Sequence, residues 1–152
     1  MASWRGGHAY QLIYLSVRRI GQQATIFGQD LRDILRTARS FNRGVGIGGA
    51  LLFNGGLFAQ VLEGDQDEVR ALMRRIARDV RHSHVTIVEE GWVARRAFPD
   101  WTMAFADDTT RNVLPVPPEF DPRQLAGLAP PPVIIEAMRH LLADDPDPDG
   151  TI

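Results

Sequence analysis

A tight turn between two apolar segments most constrains the fold of this chain. The turn is Asn54-Gly55-Gly56, and it separates Ile47–Phe53 from Leu57–Leu62. Both segments have the length and composition of strands, and asparagine and glycine tolerate the positive φ angles of a hairpin turn. The sequence therefore predicts that these two segments are neighbouring antiparallel strands.

Segments with helical periodicity flank this hairpin. Apolar residues recur at three- and four-residue spacing over about Phe27–Asn42 and again over about Asp65–Val80. Each helix has one apolar face, so both are predicted to pack on the same face of a sheet. A strand over 10–17 precedes them, and strand-like Val85–Val93 and Trp101–Ala106 follow. This order predicts an α+β, ferredoxin-like mixed sheet of about five strands with two helices on one face.

A change of composition after residue 108 predicts four regions. Residues 1–9 form an N-terminal tail, and residues 10–108 form the compact domain. Residues 109–143 are a proline-rich linker followed by a short amphipathic helix, which together form a C-terminal helical cap. Residues 144–152 are acidic and are predicted to be disordered.

Composition excludes several classes of protein. The chain has no cysteine, which removes disulfides and thiolate chemistry, and its net charge of −2 does not suggest a nucleic-acid partner. His82 and His84 lack a third ligand, so no metal site is predicted. There is no signal-peptide pattern, and no apolar run approaches the ~18 residues that a membrane helix needs. The expected location is therefore the cytoplasm, with no membrane partner.

One amide interrupts the apolar strand that follows the turn. Alternation places Gln60 on the same face as Phe58 and Leu62. A buried amide without a partner costs roughly 2 kcal/mol or more, so a polar group should meet it. Tyr14 in the first strand can both donate and accept a hydrogen bond. The two side chains are predicted to form either a core hydrogen bond or the polar edge of a ligand site.

Six motifs follow one another in a fixed order over residues 10–107: Leu12–Ser16, Asn42, Ile47–Phe53, Gln60–Gly64, Arg78–His82 and Arg96–Met103. Together they resemble the BLUF family, the blue-light sensors that use FAD. The chain departs from the family pattern at three places. Gly48 replaces a usual threonine, Ala59 a larger apolar residue, and Phe53 a frequent tyrosine.

The resemblance implies non-covalently bound FAD, with the flavin ring between the two helices and facing the sheet. Gln60 would bridge Tyr14 and the redox-active edge of the ring. Light would drive electron and proton transfer from Tyr14, and the Gln60 amide would then rotate or tautomerise. The flavin would end chemically unchanged, so the chain would be a photosensory switch and not an enzyme.

The resemblance also implies roles for residues around this pair. Asn42 would meet the polar edge of the flavin, although alone it is a typical residue for the end of a helix. Ile34 and Ile76 would sandwich the ring. Arg81 and His82 would reach the carbonyl edge of the ring and the sugar-phosphate tail.

Three further residues complete the predicted site. Asp79 would contribute to cofactor binding, and it needs a partner such as Arg81 or a ribityl hydroxyl. Trp101 and Met103 are predicted by alternation to share one face of the last strand. The resemblance implies that both residues relay the signal. Which of the two faces the flavin is left open. Met103 is also predicted to be one of the cofactor-binding residues.

The output is predicted to run through the last strand and the C-terminal helix. Residues 109–143 are too few for a catalytic output domain. The expected partners are therefore a homo-oligomer (a dimer or larger) and an unidentified downstream effector protein. The alternative function is an RNA-recognition-like, ferredoxin-fold binding module. That function needs exposed aromatic and basic residues on the central strands, and the strand around Gln60 has one aromatic and no cation.

Overall fold

The computed structural model describes residues 8–18, 24–54, 56–108, 111, 113–114, 121–143 and 145. The predicted tails, 1–9 and 144–152, lie almost entirely outside the described residues, as does most of the linker before residue 121. The elements are β1 (Ala9–Arg18), α1 (Ala24–Val45), β2 (Gly48–Asn54), β3 (Leu57–Gly64), α2 (Gln66–Ala77), β4 (His82–Val93), β5 (Ala104–Asp107), a 3-10 helix (Pro122–Gly127) and α3 (Pro131–Leu142).

The described strands form one five-stranded sheet in the order β4-β1-β3-β2-β5. The predicted hairpin joins β2 and β3, with Phe53 opposite Phe58 and Asn54 opposite Leu57. All neighbouring strands are antiparallel except β2 and β5, which run parallel. The predicted ferredoxin-like mixed sheet is therefore confirmed, with β1 and β3 at its centre.

Each face of the sheet is covered by a different layer of helices. Leu12 on β1 packs with Leu35 of α1 and Met73 of α2, and this side is called the α1/α2 face. Ile13, the next residue along β1, packs on the opposite side with Met138 of α3, and this side is called the α3 face. The two-residue period of a strand produces this division. The central strands are consequently buried on both sides.

The end of α2 differs from its prediction. The helix begins after Asp65, whose side chain accepts hydrogen bonds from the backbone of Asp67 and Glu68 at 3.1 and 3.2 Å. It ends at Ala77 and not at Val80. The backbone N–H of Asp79 donates to the Ile76 carbonyl at 3.0 Å, a tight turn that ends the helix. The chain therefore reaches the sheet earlier than predicted.

The last strand is shorter than predicted, and one prediction about it is wrong. β5 begins at Ala104, so Trp101 and Met103 precede it in a bend. Met103 is fully buried on the α1/α2 face, whereas Trp101 packs against the α3 face. Alternation placed both on one face, but alternation holds only where the backbone is extended.

Two glycines at the start of β2 lie where neighbouring backbone comes too close for a side chain. A Cβ atom on Gly48 would lie 2.7 Å from the carbonyl oxygen of Trp101, in the chain before β5. Gly49 has a φ of +150°, and a Cβ there would lie 1.8 Å from the carbonyl oxygen of Val61 in β3. The close approach at Gly48 places the Trp101 carbonyl where the Gly49 N–H donates to it at 3.2 Å.

In the described part of the chain, no helix combines the length and the apolar character that crossing a membrane requires.

Candidate functional site

A cavity of about 220 Å³ lies between α1, α2 and the α1/α2 face of the sheet. Most of its wall is apolar, and a few polar side chains converge on it, which is the usual make-up of a cofactor site. The apolar lining is Ile34, Ala38, Phe41, Leu51, Phe58, Leu72 and Ile76, and the polar lining is Tyr14, Thr37, Asn42, Gln60, Arg75, Asp79, Arg81 and His82.

Tyr14 and Gln60 form the polar floor of the cavity. They are directly opposite each other in the pairing of β1 with β3, and both are buried. The phenol of Tyr14 donates a hydrogen bond to Oε1 of Gln60. Burial, together with the negative charge of Asp79, raises the pKa of Tyr14 above its ordinary value. The phenol is therefore protonated at neutral pH.

Met103 provides a hydrogen-bond acceptor for the amide nitrogen of Gln60. Nε2 of Gln60 donates to Sδ of Met103 at 3.2 Å. A thioether sulfur is a weak acceptor that cannot donate, so this contact favours the amide orientation with nitrogen toward sulfur. Met103, and not Trp101, is therefore the residue on the same side of the sheet as the cavity.

Asn42 presents an unsatisfied acceptor. Its Nδ2 donates to the carbonyl oxygen of Thr102 at 2.8 Å, and its Oδ1 is buried without a partner in the described part of the structure. Such an orphaned group costs about 1–3 kcal/mol. A ligand with an N–H group, such as the imide of a flavin ring, would satisfy it. The residues present therefore fit a flavin.

Asp79 and Arg81 form a forked ion pair at the cavity. Nη2 of Arg81 lies 2.5 Å from Oδ2 of Asp79, and Nε lies 2.9 Å from Oδ1. The Arg81 hydrogen bonds hold the pKa of Asp79 below its usual value. Of the two partners considered for Asp79, the structure provides Arg81.

His82 is held from two sides. Its Nε2 lies 2.7 Å from the carbonyl oxygen of Ile76, which can only accept, so Nε2 carries a hydrogen. Its Nδ1 lies 2.8 Å from the hydroxyl of the buried Ser16. The imidazole also meets the edge of the Tyr14 ring, with ring centroids 6.1 Å apart. His82 thus joins the end of α2 to β1, and its contact with a cofactor stays a prediction.

Sequence reasoning missed Phe41 and Arg75. Phe41 on α1 and Arg75 on α2 both line the cavity, and the guanidinium carbon lies 4.7 Å from the centroid of the ring. Phe41 could have been found, because it belongs to the apolar face of the first helix and precedes Asn42. Nothing in the sequence marks Arg75 as a cavity residue, because α2 also carries Arg74 and such arginines are typical of a solvated helix end.

Residues 101–103 are called the 101–103 segment. Each of their three backbone carbonyl groups accepts a hydrogen bond from another part of the structure. Gly49 N–H donates to Trp101, Asn42 Nδ2 to Thr102, and Nε of Arg39 to Met103 at 3.0 Å. Asn42 is the only one of these donors that also lines the cavity. The segment before β5 is therefore connected to the cavity by hydrogen bonds.

The fold and the cavity together define a ligand-binding α+β domain. The chain belongs to the BLUF family, "Sensors of blue-light using FAD", whose pattern matches residues 9–104. The predicted family and the predicted FAD cofactor are thus confirmed.

Similar proteins agree with this assignment. The photoactivated adenylate cyclase subunit beta of Euglena gracilis is 40% identical over 87 residues, 57% of this chain and 10% of that protein. The chain thus spans about a tenth of the length of such curated relatives. The ground-state structure of BlsA is 28% identical with a TM-score of 0.74, covering 95% of this chain and 94% of BlsA. The dark-state structure of BlrB, a BLUF protein, is 28% identical with a TM-score of 0.71, covering 91% and 98%.

Proposed function

We propose that Tyr14 and Gln60 perform the light reaction of this sensor. Tyr14 supplies an electron and a proton, and the amide of Gln60 converts that event into a changed pattern of hydrogen bonds. The observation that carries the proposal is the hydrogen bond between the two side chains at the floor of the cavity.

When bound, FAD absorbs blue light, and its excited state is a strong oxidant. The raised pKa of Tyr14 keeps the phenol protonated, so the electron and the proton are both available. Because the O–H points at Oε1 of Gln60, the proton has an acceptor as the electron leaves. The return of both leaves the amide of Gln60 rearranged, by rotation or by tautomerisation. The reaction is a switch without net chemical change.

Other lining residues would hold the cofactor. Asn42 would accept from the polar edge of the ring through Oδ1, which has no partner in the described structure. Ile34 on α1 and Ile76 on α2 line the cavity and would cover the two faces of the ring. The Asp79–Arg81 pair also lines the cavity and would contact the ribityl chain.

The signal leaves the site through Met103. Rotation of the Gln60 amide would remove the donor from Sδ of Met103, whereas tautomerisation would leave one N–H on that nitrogen. Met103 immediately precedes β5. β5 pairs with β2, and α3 contacts both strands on the α3 face. Trp101, which packs on that face beside Phe98 at a ring separation of 6.2 Å, relays the change toward α3. The receiver is a homo-oligomer or a separate effector protein.

An absorption spectrum of the purified protein tests the proposal. The expected result is an oxidised flavin whose blue band shifts slightly to the red on illumination and recovers in darkness. A colourless protein that cannot be reconstituted with FAD would overturn it.

The RNA-binding alternative is not favoured by the structure. Both central strands are buried almost throughout, β3 along its whole length. They therefore present no exposed aromatic platform of the kind that stacks RNA bases.

A further inference from the structure

Asp108, the residue that follows β5, carries a buried carboxylate that does not line the cavity. It also lies beyond the family match, which ends at residue 104. Only 1% of Asp108 is exposed. Burying a carboxylate is costly unless hydrogen bonds replace the water that it loses, so the fold has to supply donors. The identity of those donors indicates what Asp108 does.

The donors come from two different parts of the chain. Nδ2 of Asn54, at the end of β2, donates to Oδ2 of Asp108 at 2.7 Å. The backbone N–H groups of Val113 and Leu114 donate to the same carboxylate at 2.5 and 2.8 Å. Nδ2 of Asn54 also donates to the carbonyl oxygen of Leu114 at 2.9 Å. These four residues are called the Asp108 junction, and they join the β2–β3 hairpin to the chain beyond β5.

The Asp108 junction connects the sheet with the apolar layer that contains α3. The backbone N–H of Asp108 donates to the Phe53 carbonyl at 2.8 Å, which continues the pairing of β5 with β2. Leu114 is 1% exposed and belongs to the same apolar cluster as Ile134 and Met138 of α3. A displacement of β5 therefore reaches this cluster through hydrogen bonds of Asp108.

α3 also packs directly on β5, which provides a second contact between the sheet and the C-terminal helical cap. Apolar packing is non-directional, so it does not fix how far one element is displaced along another. Hydrogen bonds depend on both distance and angle, so the groups that they join have to move together. The Asp108 junction is therefore better suited than the apolar contact to carry a movement of β5 into the cap.

We infer that Asp108 is a positioning residue that couples β5 to the C-terminal helical cap, so that light-driven movement of β5 displaces α3. The inference rests on the proposed signalling route through Met103 and β5. Asp108 takes no part in the absorption change itself, because it does not line the cavity. Loss of the carboxylate should therefore leave the red shift intact and disconnect α3 from it.

Distances between two spin labels, measured in the dark and under blue light, test this assignment. The chain has no cysteine, so cysteines introduced at the exposed residues Arg74 on α2 and Val133 on α3 would be the only labelling sites. In the FAD-bound parent, Arg74→Cys with Val133→Cys, illumination should shift the mean distance between the labels. Adding Asp108→Asn should retain the red shift and abolish most of the distance shift, because one end of its side chain becomes a donor that faces another donor.

Asp107→Asn is the matched control. It makes the same chemical change at the adjacent, exposed residue of β5, which is not part of the Asp108 junction. The control should keep both the red shift and the distance shift.

Asn54→Ala is the second test, and it replaces the first if Asp108→Asn does not fold. It keeps the carboxylate and its two backbone donors, and removes the donor from the hairpin. This variant should retain the red shift and have a reduced distance shift.

The outcomes separate this inference from the proposed function. A red shift and a distance shift that both persist in Asp108→Asn, or in Asn54→Ala where the first does not fold, would overturn the role of Asp108, even if the variant is less stable. An equal loss of the distance shift in Asp107→Asn would overturn it too, since the effect would be that of any negative charge at the end of β5. A parent with a red shift but no distance shift would overturn both the inference and the signalling route. A parent without a red shift would overturn the light reaction on which both depend.

Discussion

Gln60 donates a hydrogen bond from Nε2 to Sδ of Met103 over 3.2 Å. The same amide accepts from Tyr14 through Oε1, so its two ends meet chemically different partners. Reversing the amide would place a carbonyl oxygen against sulfur, and neither of those atoms can donate. The protein itself therefore favours one orientation of Gln60, and a rotation of the amide has to disturb its contact with Met103.

Met103→Leu should separate the light reaction from its transmission. The substitution conserves volume, and that change alone costs under about 1.5 kcal/mol. It also removes the weak sulfur acceptor of Nε2 of Gln60. Tyr14 and Gln60 remain, so flavin binding and the red shift of the absorption band are expected to persist. The light-minus-dark infrared difference in the amide I region should fall strongly, because the amide no longer acts on the residue before β5.

Met138→Leu is the control for this change. Met138 is also fully buried, but it belongs to α3 on the opposite face of the sheet. The control should keep both the red shift and the amide I difference. An undiminished amide I difference in Met103→Leu would show that the signal leaves by another route.

Tyr14→Phe should bind flavin and lose the red shift. The variant keeps the ring that packs in the cavity and removes the hydroxyl that donates to Gln60. Leaving Oε1 of Gln60 without that donor should lower the free energy of unfolding by about 1 kcal/mol. Absorption difference spectra before and after blue illumination measure the effect. A normal red shift in this variant would remove Tyr14 from the light reaction.

The raised pKa of Tyr14 predicts a loss of stability in alkali. Above pH of about 10 the tyrosine of the unfolded chain ionises while the folded chain keeps its proton. The unfolded state then binds fewer protons, so the free energy of unfolding falls as pH rises, by up to about 1.4 kcal/mol per pH unit for one group. Below that pH the contribution is fully present, and the light-induced red shift should be constant.

The composition of the chain allows the contribution of Tyr14 to this pH dependence to be measured, because few other side chains titrate in alkali. The chain has neither lysine nor cysteine and only two tyrosines, Tyr10 and Tyr14. Burial and Glu90 also raise the pKa of Tyr10, so Tyr10→Phe is the comparison variant. Urea unfolding at pH 8 and in alkali would give the free energies. A decline of unchanged slope in Tyr14→Phe would contradict the prediction.

The centre of the site was predictable because it depends on local rules. Strand alternation and the hairpin turn place Gln60 on a buried face, and a buried amide requires a partner. The structure puts Tyr14 directly opposite it. The relation of Trp101 to Met103 was predicted wrongly because the backbone bends there, and no residue pattern marks that bend. The pairing of Arg75 with Phe41 depends on how α1 and α2 pack, which a helical periodicity does not specify.

Gly48→Ala should disturb the 101–103 segment, because the backbone of that segment lies directly against Gly48. The added Cβ would lie 2.7 Å from the carbonyl oxygen of Trp101, a backbone atom that can move only with the whole segment. Overpacking of this kind costs about 1–3 kcal/mol in the free energy of unfolding. The hydrogen bond from Gly49 to Trp101 should lengthen, and dark recovery of the absorption band should change in rate. Thermal unfolding and recovery kinetics measure the two effects.

Gly44→Ala adds the same methyl group as Gly48→Ala, but we expect it to raise the stability of the protein. Gly44 lies in the last turn of α1, and a Cβ there would meet no atom within 4 Å. Alanine in a helix stabilises by roughly 0.5–1 kcal/mol relative to glycine, so this variant should unfold at a higher temperature with unchanged recovery. Because the two substitutions add the same methyl group, opposite signs would place the cost of Gly48→Ala in its contact with Trp101. Equal stabilisation by both would show that the 101–103 segment yields freely, and that Gly48 has no part in positioning it.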